Sequence, residues 1–183
     1  ITSEKELKGI LSAQQIERKG ETVIVKTDFL RAEISTVGGD ITHVELLKHF
    51  DVADKTKPFV LFQQTDSHKY MAQSGLLGAG LPSHNTVFSA ELKEYSLAQG
   101  QDSVEIRLTS KNSLGAKVTK LFVFHKSSYL IDVNYEIENA GTGKLAPSAY
   151  YQLVRDDVEP AGGTMFVPTY TGPAIYTDKD KFQ

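Results

Sequence analysis

The sequence predicts a soluble all-β domain built from antiparallel strands. In Leu30–Ser35 and Leu130–Asn139, apolar side chains alternate with polar ones, which is the period-two pattern of a strand with one buried face. Turn residues separate about ten such segments, at a spacing typical of sandwiches and barrels. No segment is convincingly helical, the exception being a candidate short turn near Glu4–Lys8.

The chain begins with a polar lead-in over residues 1–20, followed by a first strand at Thr22–Lys26. A hairpin is predicted next, with arms at Leu30–Thr36 and Ile41–Leu47. Gly38 and Gly39 form its turn, because adjacent glycines adopt the positive φ angles that tight hairpins require. On the second arm one face is predicted to carry Thr42, Val44 and Leu46, and the other His43 and Glu45.

The middle of the chain is less regular. Pro58 cannot donate to a strand ladder, so it favours the first position of the short strand Phe59–Phe62. The stretch Asp66–Asn85, rich in glycine, is predicted to be a long connection that is either functional or packed along a sheet edge. The strands predicted after it are Val87–Ala90, Glu94–Leu97 and Ser103–Leu108.

The second half contains the clearest strand signals. Lys117–Phe124 carries apolar residues on both faces near its end, which indicates a central strand. In Leu130–Asn139, one face is predicted to point between two sheets (Ile131, Val133, Tyr135 and Ile137) and the other to face solvent or a cleft (Asp132, Asn134, Glu136 and Glu138). Further short strands are predicted at Ser148–Val154, Thr164–Val167 and Ala174–Tyr176.

Composition excludes several classes of protein. Hydrophobic residues make up 40% of the chain, a normal globular share, and the formal net charge is −3. Acidic and basic residues are interspersed, so no basic stripe indicates a nucleic-acid partner. The chain contains no cysteine, which excludes disulfides, thiolate metal sites and a cysteine nucleophile. No apolar run approaches the roughly 20 residues of a membrane span.

No motif predicts a catalytic, cofactor-binding or metal-binding residue. The five histidines (His43, His49, His68, His84 and His125) lack metal-site spacing and are interpreted as surface or strand-end residues. Ser74 lacks the glycine spacing of a nucleophile elbow. The acidic group Asp156, Asp157 and Glu159 favours a solvated turn over paired catalytic carboxylates or a calcium site. Tyr150, Tyr151 and Tyr170 are candidates for lining an apolar groove.

Several segments together resemble the large periplasmic domain of the YidC family of membrane protein insertases from Gram-negative bacteria. The order and spacing agree with that family from about Thr22 to the end of the chain. The segments that carry the resemblance are Val25–Asp28 (VKTD) running into Ser35–Asp40 (STVGGD), Pro58–Phe59 with its strand, Tyr70–Leu76 (YMAQSGL) and Val133–Gly141 (VNYEIENAG).

The resemblance implies an antiparallel β-supersandwich similar to galactose mutarotases. It implies residues 21–183 as one periplasmic domain lacking the family's last strands, with residues 1–20 as a linker. The parent protein would be embedded in the inner membrane, with this segment in the periplasm. Its implied partners are nascent membrane proteins and the Sec translocon subunits SecD and SecF. Because the family's insertion chemistry resides in the membrane part, the resemblance transfers no functional residue and no cofactor to this chain.

The residues and the resemblance together leave two functions from different classes. The favoured one is a non-catalytic interaction domain whose cleft or sheet edge binds extended peptide or Sec subunits. The alternative is a carbohydrate-binding or mutarotase-like enzyme domain. A mutarotase needs a histidine acid and a carboxylate base that converge in one concave pocket, so their relative placement discriminates between the two functions.

Overall fold

A computed structural model of the chain describes residues 20–111, 115–158 and 172. They contain strands only, as predicted. The strands are β1 (Thr22–Lys26), β2 (Leu30–Ser35), β3 (Asp40–Phe50), β4 (Pro58–Gln64), β5 (Lys69–Leu77), β6 (Ser89–Ala90), β7 (Glu94–Ser96), β8 (Ser103–Lys111), β9 (Ala116–His125), β10 (Ile131–Asn139) and β11 (Ser148–Arg155).

The strands form two sheets that face each other as a β-sandwich. The larger sheet has the order β11-β5-β4-β3-β2-β1-β7, and the smaller one has the order β10-β9-β8-β6. The pairings are antiparallel, except that β7 runs parallel to β1. Strand β9 lies between β8 and β10, which confirms its prediction as an internal strand.

The core lies between the two sheets. The larger sheet supplies Val23, Val25, Leu30, Ala32, Ile34 and Val44, and the smaller one supplies Ile106, Leu108, Phe122 and Phe124. These positions are spaced by two along each strand, so the alternation in the sequence correctly predicts which face is buried.

The β2–β3 hairpin turns at Gly38 and Gly39, as predicted, with φ angles of 75° and 63°. Its second arm differs from the prediction, because the register shifts: Glu33 pairs with His43, whereas Ile34 pairs with Ile41. This β-bulge leaves Thr42 as the additional residue on β3. Ile41 therefore enters the core beside Val44, while the bulged Thr42 is half-buried and its hydroxyl donates to the main-chain carbonyl oxygen of Glu33.

Strand β5 corrects the prediction of an irregular connection over Asp66–Asn85. It is nine residues long and lies inside the larger sheet, where it pairs with β4 on one side and with β11 along the whole length of β11 on the other. Its centre, Gln73 to Gly75, has weak intrinsic strand propensity. Pairing with two neighbouring strands determines this conformation, and a local sequence pattern does not reveal it.

Strand β10 has the predicted orientation, but its apolar face is only half-buried. The reason is its position, because β10 pairs with β9 alone among the described residues and so forms an edge of the smaller sheet. Several predictions lie outside the described residues: the lead-in over residues 1–19 with its turn near Glu4–Lys8, the strands Thr164–Val167 and Ala174–Tyr176, and the placement of Glu159 and Tyr170.

Candidate binding cleft between the sheets

An apolar cleft lies between the two sheets beside strand β10. Its larger cavity, of about 480 Å³, is lined by Leu30, Ile41, Val44, Leu46, Leu61, Phe62, Ala72, Tyr129, Ile131 and Val133. A second cavity, of about 210 Å³, is lined by Gly39, Ile41, Ala72, Gln73, Ser74, Phe122, Val133, Tyr151, Gln152 and Leu153. Three lining residues are shared (Ile41, Ala72 and Val133), so the two cavities adjoin and form one cleft.

The cleft is open at the edges of the sheets. Tyr151 and Leu153 on β11 line it, yet 61% and 64% of their surfaces are exposed. Within the described part of the chain, β11 pairs with β5 alone, just as β10 pairs with β9 alone. Two strand edges therefore flank an apolar space, an arrangement that suits an extended peptide.

One hydrogen bond crosses the cleft from sheet to sheet. The Tyr151 hydroxyl donates to the main-chain carbonyl oxygen of Val133 on β10, with an oxygen–oxygen distance of 3.2 Å. The carbonyl belongs to an edge strand, so the phenol uses an acceptor that a neighbouring strand would otherwise use.

A buried lysine lies next to the smaller cavity. Lys120 projects from β9, is 1% exposed, and donates from Nζ to the carbonyl oxygens of Gly38 at 2.9 Å and Ser74 at 3.2 Å. Ser74 lies in β5 of the larger sheet and Gly38 in the turn between β2 and β3 of that sheet, so Lys120 joins the two sheets. Burial disfavours the ammonium form and lowers the pKa of Lys120 from 10.5 to about 8, although the nearby Asp40 carboxylate partly opposes this shift.

Four further polar side chains accompany Lys120. Asp40 is also buried, and burial raises its pKa, while the amide of Gln73 donates to Asp40 Oδ2 at 2.6 Å. Tyr135 donates to the Ser74 hydroxyl oxygen at 3.0 Å, and burial raises the pKa of Tyr135 to about 12. Tyr135 and Lys120, both from the smaller sheet, donate to Ser74 of the larger sheet, so this cluster ties the two sheets together.

The histidines lie elsewhere. Among the described residues that line the cleft there is no histidine, although three histidines contact carboxylates at other places. The pairs are His43 with Glu45 at 3.0 Å, His68 with Asp156 at 3.1 Å, and His125 with Asp132 at 2.7 Å. The other two contact aromatic residues: His84 Nδ1 lies 2.6 Å from the Tyr150 hydroxyl, and His49 packs against Tyr129.

The structure separates the candidate groove residues. Tyr151 lines the cleft, as predicted, whereas Tyr150 contacts His84 instead. Asp156 accepts a hydrogen bond from the main-chain nitrogen of Lys69, so it anchors the start of β5.

Lys120 was missed, although the sequence carries a signal for it. It is a lone charge at an inward position of β9, in step with Phe122 and Phe124.

Metal-ligand clusters and long apolar helices are both absent from the described residues. No three of their histidine and carboxylate side chains are arranged to hold a metal ion. No helical segment among them has the length and hydropathy of a membrane span.

Comparisons with known proteins agree on one family. The model of the YidC periplasmic domain matches residues 22–183. The chain is 47% identical over 164 residues to the membrane protein insertase YidC of Nitrosospira multiformis, which covers 90% of this chain and 29% of the relative. It is 48% identical over 162 residues to the protein of that name from Aromatoleum aromaticum, covering 88% and 30%. The chain thus spans about three tenths of the length of these relatives.

Proposed function

We propose, from the premise that the chain belongs to the family of YidC periplasmic domains, that it serves as a non-catalytic interaction domain of a membrane protein insertase. The relatives are named for the insertion of membrane proteins and not for an enzymatic reaction. The domain would bind extended polypeptide and thereby aid the insertion and folding of inner-membrane proteins.

One observation carries this proposal: the open apolar cleft is flanked by β10 and β11, which are edge strands among the described residues. An extended segment laid against a strand edge gains main-chain hydrogen bonds regardless of its sequence, and its alternate side chains enter the apolar space. Binding of this kind tolerates many sequences and is weak, as a platform for varied polypeptides requires.

The partners and location form the finer part of the proposal. Nascent membrane proteins and the translocon subunits SecD and SecF are the partners that the family resemblance implies. The parent protein would lie in the inner membrane, with this segment in the periplasm as a single domain over residues 21–183.

Peptide binding is tested with a fluorescently labelled, end-blocked peptide of alternating valine and threonine, titrated with the whole chain. Leu153→Glu places a charge in the cleft and should abolish binding. Leu92→Glu is the matched control, because Leu92 is exposed to a similar extent, 58%, outside the cleft lining. Equal binding by the two variants would refute the cleft as the binding site.

The Sec contact is tested separately by co-purification of the chain with purified SecD and SecF. We expect the complex to be retained by wild type and by Leu92→Glu, and to be weakened by Leu153→Glu. A complex that neither variant affects would place the contact on another surface, and the absence of a complex with wild type would refute the Sec partnership.

The enzyme alternative has a direct test in aldose mutarotation followed by polarimetry. We expect a rate equal to that of buffer, because the histidine–carboxylate pairs lie outside the cleft lining. A rate well above buffer that replacement of one histidine abolishes would overturn the interaction-domain proposal and favour the enzyme.

A further inference from the structure

We infer that Tyr151 is the gate of the cleft: its side chain occupies the strand edge of β10 and must leave before an extended peptide can pair there. The inference rests on the proposed function, because it concerns access to the same site. It assigns a regulatory role to one side chain that the family membership does not specify.

The first support is the path of the Tyr151 side chain. Its backbone is held in the larger sheet, where Tyr151 pairs with Ser74 on β5. Its ring lines the smaller cavity, and its hydroxyl reaches Val133 on the opposite sheet. The side chain therefore crosses the opening between the two sheets and obstructs it.

The second support is the identity of the acceptor. In an antiparallel strand, the main-chain groups of alternate residues point to the same side. A peptide that adds to the β10 edge must donate its N–H groups to the carbonyl oxygens that point away from β9. The Val133 carbonyl accepts from Tyr151 across the cleft, so the phenol competes directly with an incoming strand for this carbonyl.

The third support is that the contact is easily broken. Tyr151 is 61% exposed, and its hydroxyl makes one hydrogen bond of 3.2 Å, which is longer than the roughly 2.5–3.0 Å usual between two oxygen atoms. Exposed side chains change rotamer within nanoseconds, so the gate can open without any movement of the sheets.

The adjacent tyrosine provides a contrast on the same strand. The Tyr150 hydroxyl accepts from the main-chain nitrogen of His84 at 3.0 Å and lies 2.6 Å from His84 Nδ1. Its ring also packs so closely over Gly75 that a Cβ there would lie 2.5 Å from the hydroxyl oxygen. Tyr150 is thus fixed in place outside the cleft lining, which makes it a matched control for loss of a phenol group.

The test compares the whole chain with Tyr151→Phe and Tyr150→Phe, using the same labelled valine–threonine peptide. Tyr151→Phe removes the competing donor, so the peptide should bind about three- to tenfold more tightly, the range expected for one net hydrogen bond. Tyr150→Phe should bind as wild type does. In wild type, saturating peptide should shift the ring NMR signals of Tyr151 and leave those of Tyr150 unchanged.

The outcomes separate the gate from the function. If Tyr151→Phe binds the peptide with the same affinity as wild type, or more weakly, the gate is refuted and the peptide-binding proposal stays intact. No binding by either protein would overturn both. Binding by Tyr151→Phe with none by wild type would support both, since the closed gate would then dominate.

Discussion

The buried ammonium of Lys120 makes the stability of this domain rise with pH in the alkaline range. The folded protein holds the pKa of Lys120 near 8, whereas the unfolded chain restores it to 10.5. Between these two values the unfolded chain binds more protons than the folded one. The free energy of unfolding therefore increases as the pH rises through this window.

The magnitude follows from the size of the pKa shift. Each pKa unit corresponds to about 1.4 kcal/mol, so the whole shift amounts to roughly 3 kcal/mol. Between about pH 7 and pH 9.5 the expected increase is about 2 kcal/mol. Since Lys120 is 1% exposed, solvent screening reduces this figure little. The upper limit is set by Tyr135, because burial raises its pKa from 10.0 to about 12 in the folded protein, so its ionisation in the unfolded chain destabilises the fold above about pH 10.

Urea unfolding followed by circular dichroism measures the effect, because the chain lacks tryptophan. Lys120→Met removes the titrating group at similar volume, and its stability should not show the increase. Lys117→Met is the matched control: Lys117 lies on the same strand, has a side chain that is 40% exposed, and pairs with Glu138 at 2.7 Å, so its variant should retain the increase. A wild-type curve that is flat or falls over this window would refute the reasoning, as would an equal rise in Lys120→Met.

Two further predictions concern packing and can be checked by the same unfolding measurements. Gly39→Ala should destabilise by more than about 2 kcal/mol, because the residue has a φ of 63° and its Cβ would lie 2.9 Å from Lys120 Cδ. Gly100→Ala, with a φ of 87° and free space around it, should cost only about 1 kcal/mol, and equal costs would contradict the proposed clash. Val133→Ala should cost about 1–2 kcal/mol because this side chain packs against the core, whereas Glu136→Ala should stay within about 0.5 kcal/mol. Comparable losses of stability in Val133→Ala and Glu136→Ala would mean that the buried and outward faces of β10 are inverted.

The strand class and most strand positions could be predicted from the sequence, because they depend on local alternation. A strand such as β8 buries every second residue, and this pattern is visible in Val104, Ile106 and Leu108 without knowledge of its neighbours. The glycine pair of the β2–β3 turn was equally predictable, because its positive φ angles are a property of the turn itself. The family could also be identified, because its segments occur in order along the chain.

The features that the sequence left open depend on contacts between distant residues. Strand β5 forms because β4 and β11 pair with it, and the bulge at Thr42 forms because Ile34 pairs with Ile41.

The candidate site depends on such contacts throughout. Residues of β9, β10 and β11 meet Ile41 and Ala72 in one cleft only when two sheets of unequal width pack face to face. Lys120 was a visible anomaly in the pattern, but its role required the carbonyl groups of Gly38 and Ser74, which lie far away in the chain. The sequence alone thus determined which residues alternate and where the chain turns. The tertiary structure decided which of the described strands lie at the edges of the two sheets, because strand pairing and sheet packing are set by long-range contacts that local patterns do not encode.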